Sequence, residues 1–295
     1  METLEALQKT IGALEELHSV VKTMKALAAV NIRQYEQAAA SLSEYNRAVE
    51  LGLQVTLKML PENPRLARDR PGGRVGCIVV GSDQGMCGAL NERIVAYTLE
   101  ALRERGVQQE ERTIIAVGLR VTTRLEDAGE FIEHSLPVPG SAEGVTAFVQ
   151  NLTIAVEEWR MRHGVECILL LYNRFLSGAS YQPHLVQLLP FDPQWVQKLR
   201  QKPWPSHVLP LVTMNPDRLF FRLIQQHLFV SLHRALCESL ASENASRLAS
   251  MQNAERNITE RLDELHAHFL QQRQTAITGE LLDILSGFEA LREKA

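Results

Sequence analysis

The stretch GSDQGMCGALN, residues 81–91, holds the most suggestive spacing in the chain. It follows the apolar run VGCIVV and precedes an amphipathic stretch at 92–104, where a loop cradling phosphate at a helix N-terminus would sit. Its candidate residues are Asp83, Gly85, Cys87 and Gly88. The spacing of Gly81, Gly85 and Gly88 fits neither GxGxxG nor a Walker-type loop, and no Lys, Ser or Thr stands ready for phosphate and magnesium. A nucleophile elbow is excluded too, because Ser82 directly follows Gly81 and the middle residue is Asp83. The loop reads as a tight turn that also suits contact with a partner.

The other reactive side chains are scattered. Cys77, Cys87, Cys167 and Cys237 form no CxxC pair and sit at no zinc-ligand spacing with a histidine, so they read as small buried hydrophobes. There is no HExxH among the nine histidines. No catalytic residue, cofactor or metal is expected. A net charge of −4 leaves no basic footprint for nucleic acid. No apolar run approaches the roughly 20 residues that span a bilayer, and the acidic, periodic N-terminus is neither signal nor transit peptide. The expected place is therefore a cytosol.

Three segments with different periods must position these residues. Residues 3–59 lack proline, and Leu4, Leu7, Ile11, Leu14, Val21, Ala28, Ile32, Tyr35, Ala39, Leu42, Val49 and Leu53 follow alternating steps of three and four. This is a heptad seam, interrupted by His18, Lys25 and Asn46, of which Lys25 and Asn46 read as register devices. One continuous helix here would run about 85 Å and should protrude. PENPRLARDRPGG, 61–73, ends it as a linker. Then the period changes. VGCIVV, TIIAVG and VECILLLYN are buried strands, FIEHSLPV and YQPHLVQLLP are further candidates, and helical stretches alternate with them. That alternation predicts a Rossmann-like three-layer α/β domain over 74–210, its sheet mostly parallel with about five strands.

From Pro216 to the end there is again no proline, and a second seam runs from Leu219 through Met251 to Phe269, with polar Asn244 and Glu255 on its line. The predicted architecture is an antiparallel coiled coil, made by helices at 1–60 and 211–295, standing on the α/β base. With Pro61 set beside Pro216, residue 4 lies level with residue 273, and about 20 residues beyond it, about 30 Å of helix, have no partner helix. That overhang still carries Ile277, Leu281, Ile284, Leu285, Phe288 and Leu291 on one side. Burying such a stripe is worth on the order of 10 kcal/mol, so another protein should enclose it. Arg273 and Gln274 stand where the coil becomes single, either as solvated residues or as a polar contact.

Four stretches give this chain a family likeness over nearly its whole length. VKTMKALAA (21–29), SDQGMCGALN (82–91), LLYNRF followed by LLP, and the C-terminal SLASENASRLASMQNAERNI with RQTAITGELLDILSGFEAL resemble the gamma subunit of F-type rotary ATP synthases. Asn31 stands where a Lys is usual, Gln84 and Met86 replace Arg and Leu, and no dithiol insertion is present. These departures resemble the divergent, alternate-operon bacterial variety. The resemblance implies a non-catalytic central-stalk rotor, turning within a hexamer of alpha and beta subunits. It implies further contacts with an epsilon subunit and a ring of c subunits, hence only indirect membrane attachment, at the cytoplasmic face of the cell membrane. It also implies that Arg273, Gln274 and Met24 meet beta subunits and that the apolar tip sits in a sleeve of the hexamer. The competing readings are a coiled-coil adaptor and a Rossmann-like nucleotide-binding enzyme.

Overall fold

The computed structural model describes residues 3–60, 74–162, 164–178, 180–205, 207–208 and 210–292, so the linker expected at 61–73 lies outside the described residues. Two compact units are present: residues 1–27 with 248–295, and residues 28–247. The long helices α1 (Leu4–Ser41) and α7 (Pro216–Arg292) each contribute to both units.

The larger unit is built on a five-stranded sheet in the order β3-β2-β1-β4-β5. Its strands are β1 (Arg74–Val80), β2 (Arg112–Val117), β3 (Ile132–Leu136), β4 (Val165–Ser177) and β5 (Ser180–Leu189). The first four run parallel, and β5 returns antiparallel to β4 as an edge hairpin. Alternation along β1 sets the layers. Val75, Cys77 and Val79 face a core shared with α3 (Leu90–Glu104) and α4 (Leu119–Asp127). Ile78 and Val80 face the opposite core, shared with α5 (Gly144–Arg162), α6 (Pro193–Gln201), α2 (Ser43–Met59) and α7. The predicted three-layer, mostly parallel α/β fold with flanking long helices is therefore the observed one.

Two local features depart from the sequence reading. The N-terminal helix is not continuous to residue 59: it breaks at Leu42, whose φ of −90° and ψ of 4° leave the helical region, and resumes as α2. The hydroxyl of Ser41 donates to the carbonyl of Ala38 at 2.8 Å, offering the backbone a local alternative to helix bonding. Helix α6 was not anticipated, although Asp192 accepts from the Gln194 amide as its N-cap and Pro193 opens it. Its Arg200 guanidinium satisfies the carbonyls of Leu57 and Leu60 at the carboxyl end of α2, at 2.6–2.9 Å.

Candidate partner-contact sites

In the unit of residues 1–27 and 248–295 the two seams meet as the spacing predicts. Leu7 and Ile11 pack with Leu265, joined by Leu14, Leu262 and Phe269. Val21 packs with Met251 and Ile258, and Met24 is half-buried against this cluster. Among these apolar contacts Lys25 forms an ion pair with Glu255, each side chain partly covered. The ammonium of Lys25, hydrogen-bonded to it, holds the Glu255 carboxyl below the usual carboxylate range, with smaller help from the nearby charges of His18 and Lys22. Sequence reasoning placed both residues on their seams without pairing them.

Burial stops after Gln272. Every described side chain from Arg273 to Ser286 is exposed, including Ile277 (48%), Leu281 (62%), Ile284 (70%) and Leu285 (60%). The expected overhang with an uncovered apolar stripe is thus present for these four residues, while the side chains of Phe288 and Leu291 lie outside the described residues. Arg273 and Gln274 stand at its beginning, both exposed, and the Gln274 carbonyl accepts from Thr278 Oγ1 at 2.8 Å within the helix.

In the other unit, the loop at 81–91 lies at the carboxyl ends of the parallel strands, where open α/β sheets bind ligands. Its polar groups are already engaged. Asp83 accepts from the Leu119 amide at 2.8 Å and the Val138 amide at 2.9 Å, so it occupies the donor at the start of α4 that an anion would use. Ser82 and Asn91 bond one another twice, at 2.8 and 3.1 Å. Gly118, at φ 118°, lets the next turn approach: a Cβ there would meet the Ser82 backbone at 2.8 Å. Gly88 has φ 57°, whereas Gly85 meets no crowding. Cys87 is buried beside Ser82 and its thiol is pushed up by burial. Burial likewise pushes Cys77 and Cys237 up to about 12, which makes them inert at neutral pH.

Helix α7 docks against β4 and the loop that follows β1. Its Ser242 hydroxyl donates to the Asn173 carbonyl of β4, at 2.8 Å, and its Ser246 hydroxyl to the Cys87 carbonyl, at 2.5 Å. Glu243 and Arg247 form a buried pair at 2.6 Å, and burial still raises the Glu243 carboxyl against that partner. Asn31 donates to Asn244 at 3.3 Å. The small, polar run LASENASR is the signal for this close docking, since Ser and Ala let a helix backbone approach a sheet end, and sequence reasoning used it only as a likeness.

The family profile described as ATP synthase matches residues 3–291. A Nostoc punctiforme ATP synthase gamma chain is 28% identical over 319 aligned positions, covering 99% of this chain and 100% of that one. A Geotalea uraniireducens ATP synthase gamma chain is 25% identical over 295, with 99% and 100% covered. The rotor chain of the Euglena gracilis mitochondrial ATP synthase in rotational state 1 superposes with a TM-score of 0.65 at 17% identity, over 93% of this chain and 98% of that one, so the fold is shared. A family match spanning both long helices and the sheet between them decides the assignment: this chain belongs to the ATP synthase family, and its full-length relatives are gamma chains.

Proposed function

We propose that this chain is the central-stalk rotor subunit of an F-type ATP synthase and carries no active site of its own. The single observation that carries this reading is the run of exposed apolar side chains after Gln272, which nothing covers among the described residues. Enclosing Ile277, Leu281, Ile284 and Leu285 would recover roughly 4–8 kcal/mol, which a surrounding hexamer of alpha and beta subunits supplies. The contacts are apolar and non-directional, as a turning shaft requires. Arg273, Gln274 and the neighbourhood of Met24 meet beta subunits in this reading, and the loop bearing Asp83, Gly85, Cys87 and Gly88 presents the exposed Met86 to the same assembly.

Mechanically, the shaft acts by population shift. Each angle makes different contacts with the three beta subunits and so favours a different conformation of each, by no more than that difference in contact energy. Ion flow through a ring of c subunits turns the base, where an epsilon subunit also binds, and hydrolysis drives the reverse. Attachment in this reading is peripheral, through the ring of c subunits at the cytoplasmic face; among the described residues no helix is long and apolar enough to cross a membrane. Co-expression of a tagged chain with alpha and beta subunits tests the reading: an ATPase hexamer should co-purify, and replacing both Arg273 and Gln274 by Ala should lower its turnover without loss of the chain's fold. A free chain that binds ATP and magnesium in the micromolar range, with no hexamer recovered, would favour a nucleotide-binding enzyme instead.

A further inference from the structure

The ion pair between Lys25 on α1 and Glu255 on α7 lies beside the apolar seam, with Val21, Met251 and Ile258 one turn from it. Val21 lies one turn before Lys25 and is 6% exposed. Met251 and Ile258 lie one turn either side of Glu255, at 3% and 9%. Sliding one helix along the other by a turn would set the Lys25 ammonium beside Met251 or Ile258 and part it from the Glu255 carboxylate, giving up the charge-assisted hydrogen bond between them. The apolar neighbours discriminate far less. Val, Met, Ile and Leu are close in size and their contacts are non-directional, so a slipped seam would bury nearly as much surface. His18 and Lys22, also on α1, add positive charge near Glu255, so after a slip toward the amino end of α1 it is the Lys25 ammonium that is left without its partner.

We propose that Lys25 and Glu255 are positioning residues that lock the axial register of the two shaft helices, so that torque applied to one helix is carried by both without sliding. The proposal rests on the rotor reading above. A stability role alone makes the opposite prediction for one variant. Lys25→Met, with Glu255→Leu, continues the hydrophobic seam and should hold or raise the melting temperature of the full chain, because charged seam positions specify register at the expense of stability. The same double variant should weaken coupling. In the complete complex reconstituted in vesicles, proton uptake per ATP hydrolysed should fall below the wild-type ratio. The charge swap Lys25→Glu with Glu255→Lys keeps the pair and should restore the wild-type ratio.

An assembled Lys25→Met, Glu255→Leu complex with unchanged proton uptake per ATP would overturn the lock, as would a swap that folds and assembles yet fails to restore it. Failure of the wild-type chain to assemble with alpha and beta subunits is a separate result, and it would sink the rotor reading itself.

Discussion

The hydroxyl of Ser246, deep in α7, donates to the backbone carbonyl of Cys87 at 2.5 Å. Both groups are buried, so the bond fixes the loop after β1 against the helix docked beside it. Replacing Ser246 by Ala removes this donor and leaves the Cys87 carbonyl only the longer bond from the Leu90 amide at 3.4 Å, which costs about 0.5–1.5 kcal/mol. Urea unfolding of the full chain should show that loss in the sheet-bearing unit. Unchanged stability would mean that water or a neighbouring donor takes over, and that the loop is not pinned there.

Met86 has φ 60° in that same loop and is 56% exposed, so its backbone strain is not offset by burial. Left-handed geometry costs a non-glycine residue about 1–2 kcal/mol, and the extra freedom of glycine in the unfolded chain costs about 0.4–1 kcal/mol. Met86→Gly should therefore stabilise the chain by a few tenths to about 1 kcal/mol in the same urea experiment. A destabilised variant would show that the thioether makes a contact worth more than the strain.

Glu255 has its carboxyl held below the usual range by Lys25, so the unfolded chain binds the proton more readily than the folded one. Its contribution is present in full above the ordinary carboxylate range, near pH 4.5, and is lost as pH falls through the depressed folded value. Glu243 and Glu130 shift the other way, raised by burial, so they oppose this trend and must be held constant. The difference in melting temperature between wild type and Glu255→Gln should thus be largest at neutral pH and shrink on acidification below about pH 4.5. A difference independent of pH would mean the pair adds nothing electrostatic.

How far the sequence reached depends on the range of the interactions. The two seams and the strands VGCIVV, TIIAVG and VECILLLYN were legible because each is a local periodicity of apolar residues, and a buried face imposes it directly. The break at Leu42 was not, since Ala39, Leu42 and Val49 keep the seam's spacing across it and only a serine hydroxyl competing with the backbone marks the place. Helix α6 was overlooked because its polar, proline-flanked sequence has a small apolar face, despite the cap at Asp192. In the candidate sites, the exposed position of Arg273, Gln274, Ile277, Leu281, Ile284 and Leu285 followed from helix lengths, whereas a role in meeting beta subunits came only from the family resemblance. The meeting of Lys25 with Glu255, and the bonds of Ser242 to β4 and of Ser246 to the loop after β1, depend on axial register and docking between segments far apart in the chain, which no local pattern encodes.

The central claim is that the carboxyl-terminal overhang exists to be enclosed by partner subunits. Amide hydrogen exchange over residues 273–292 measures this directly, in the free chain and in the hexamer assembled with alpha and beta subunits. In the free chain nothing among the described residues covers the overhang, so it should exchange like a fraying terminus, well ahead of the paired stretch around Met251 and Ile258. Within the hexamer its exchange should slow by at least about tenfold, as burial of Ile277, Leu281, Ile284 and Leu285 holds the helix closed. Strong protection in the free chain, or exchange unchanged by assembly, would contradict the account.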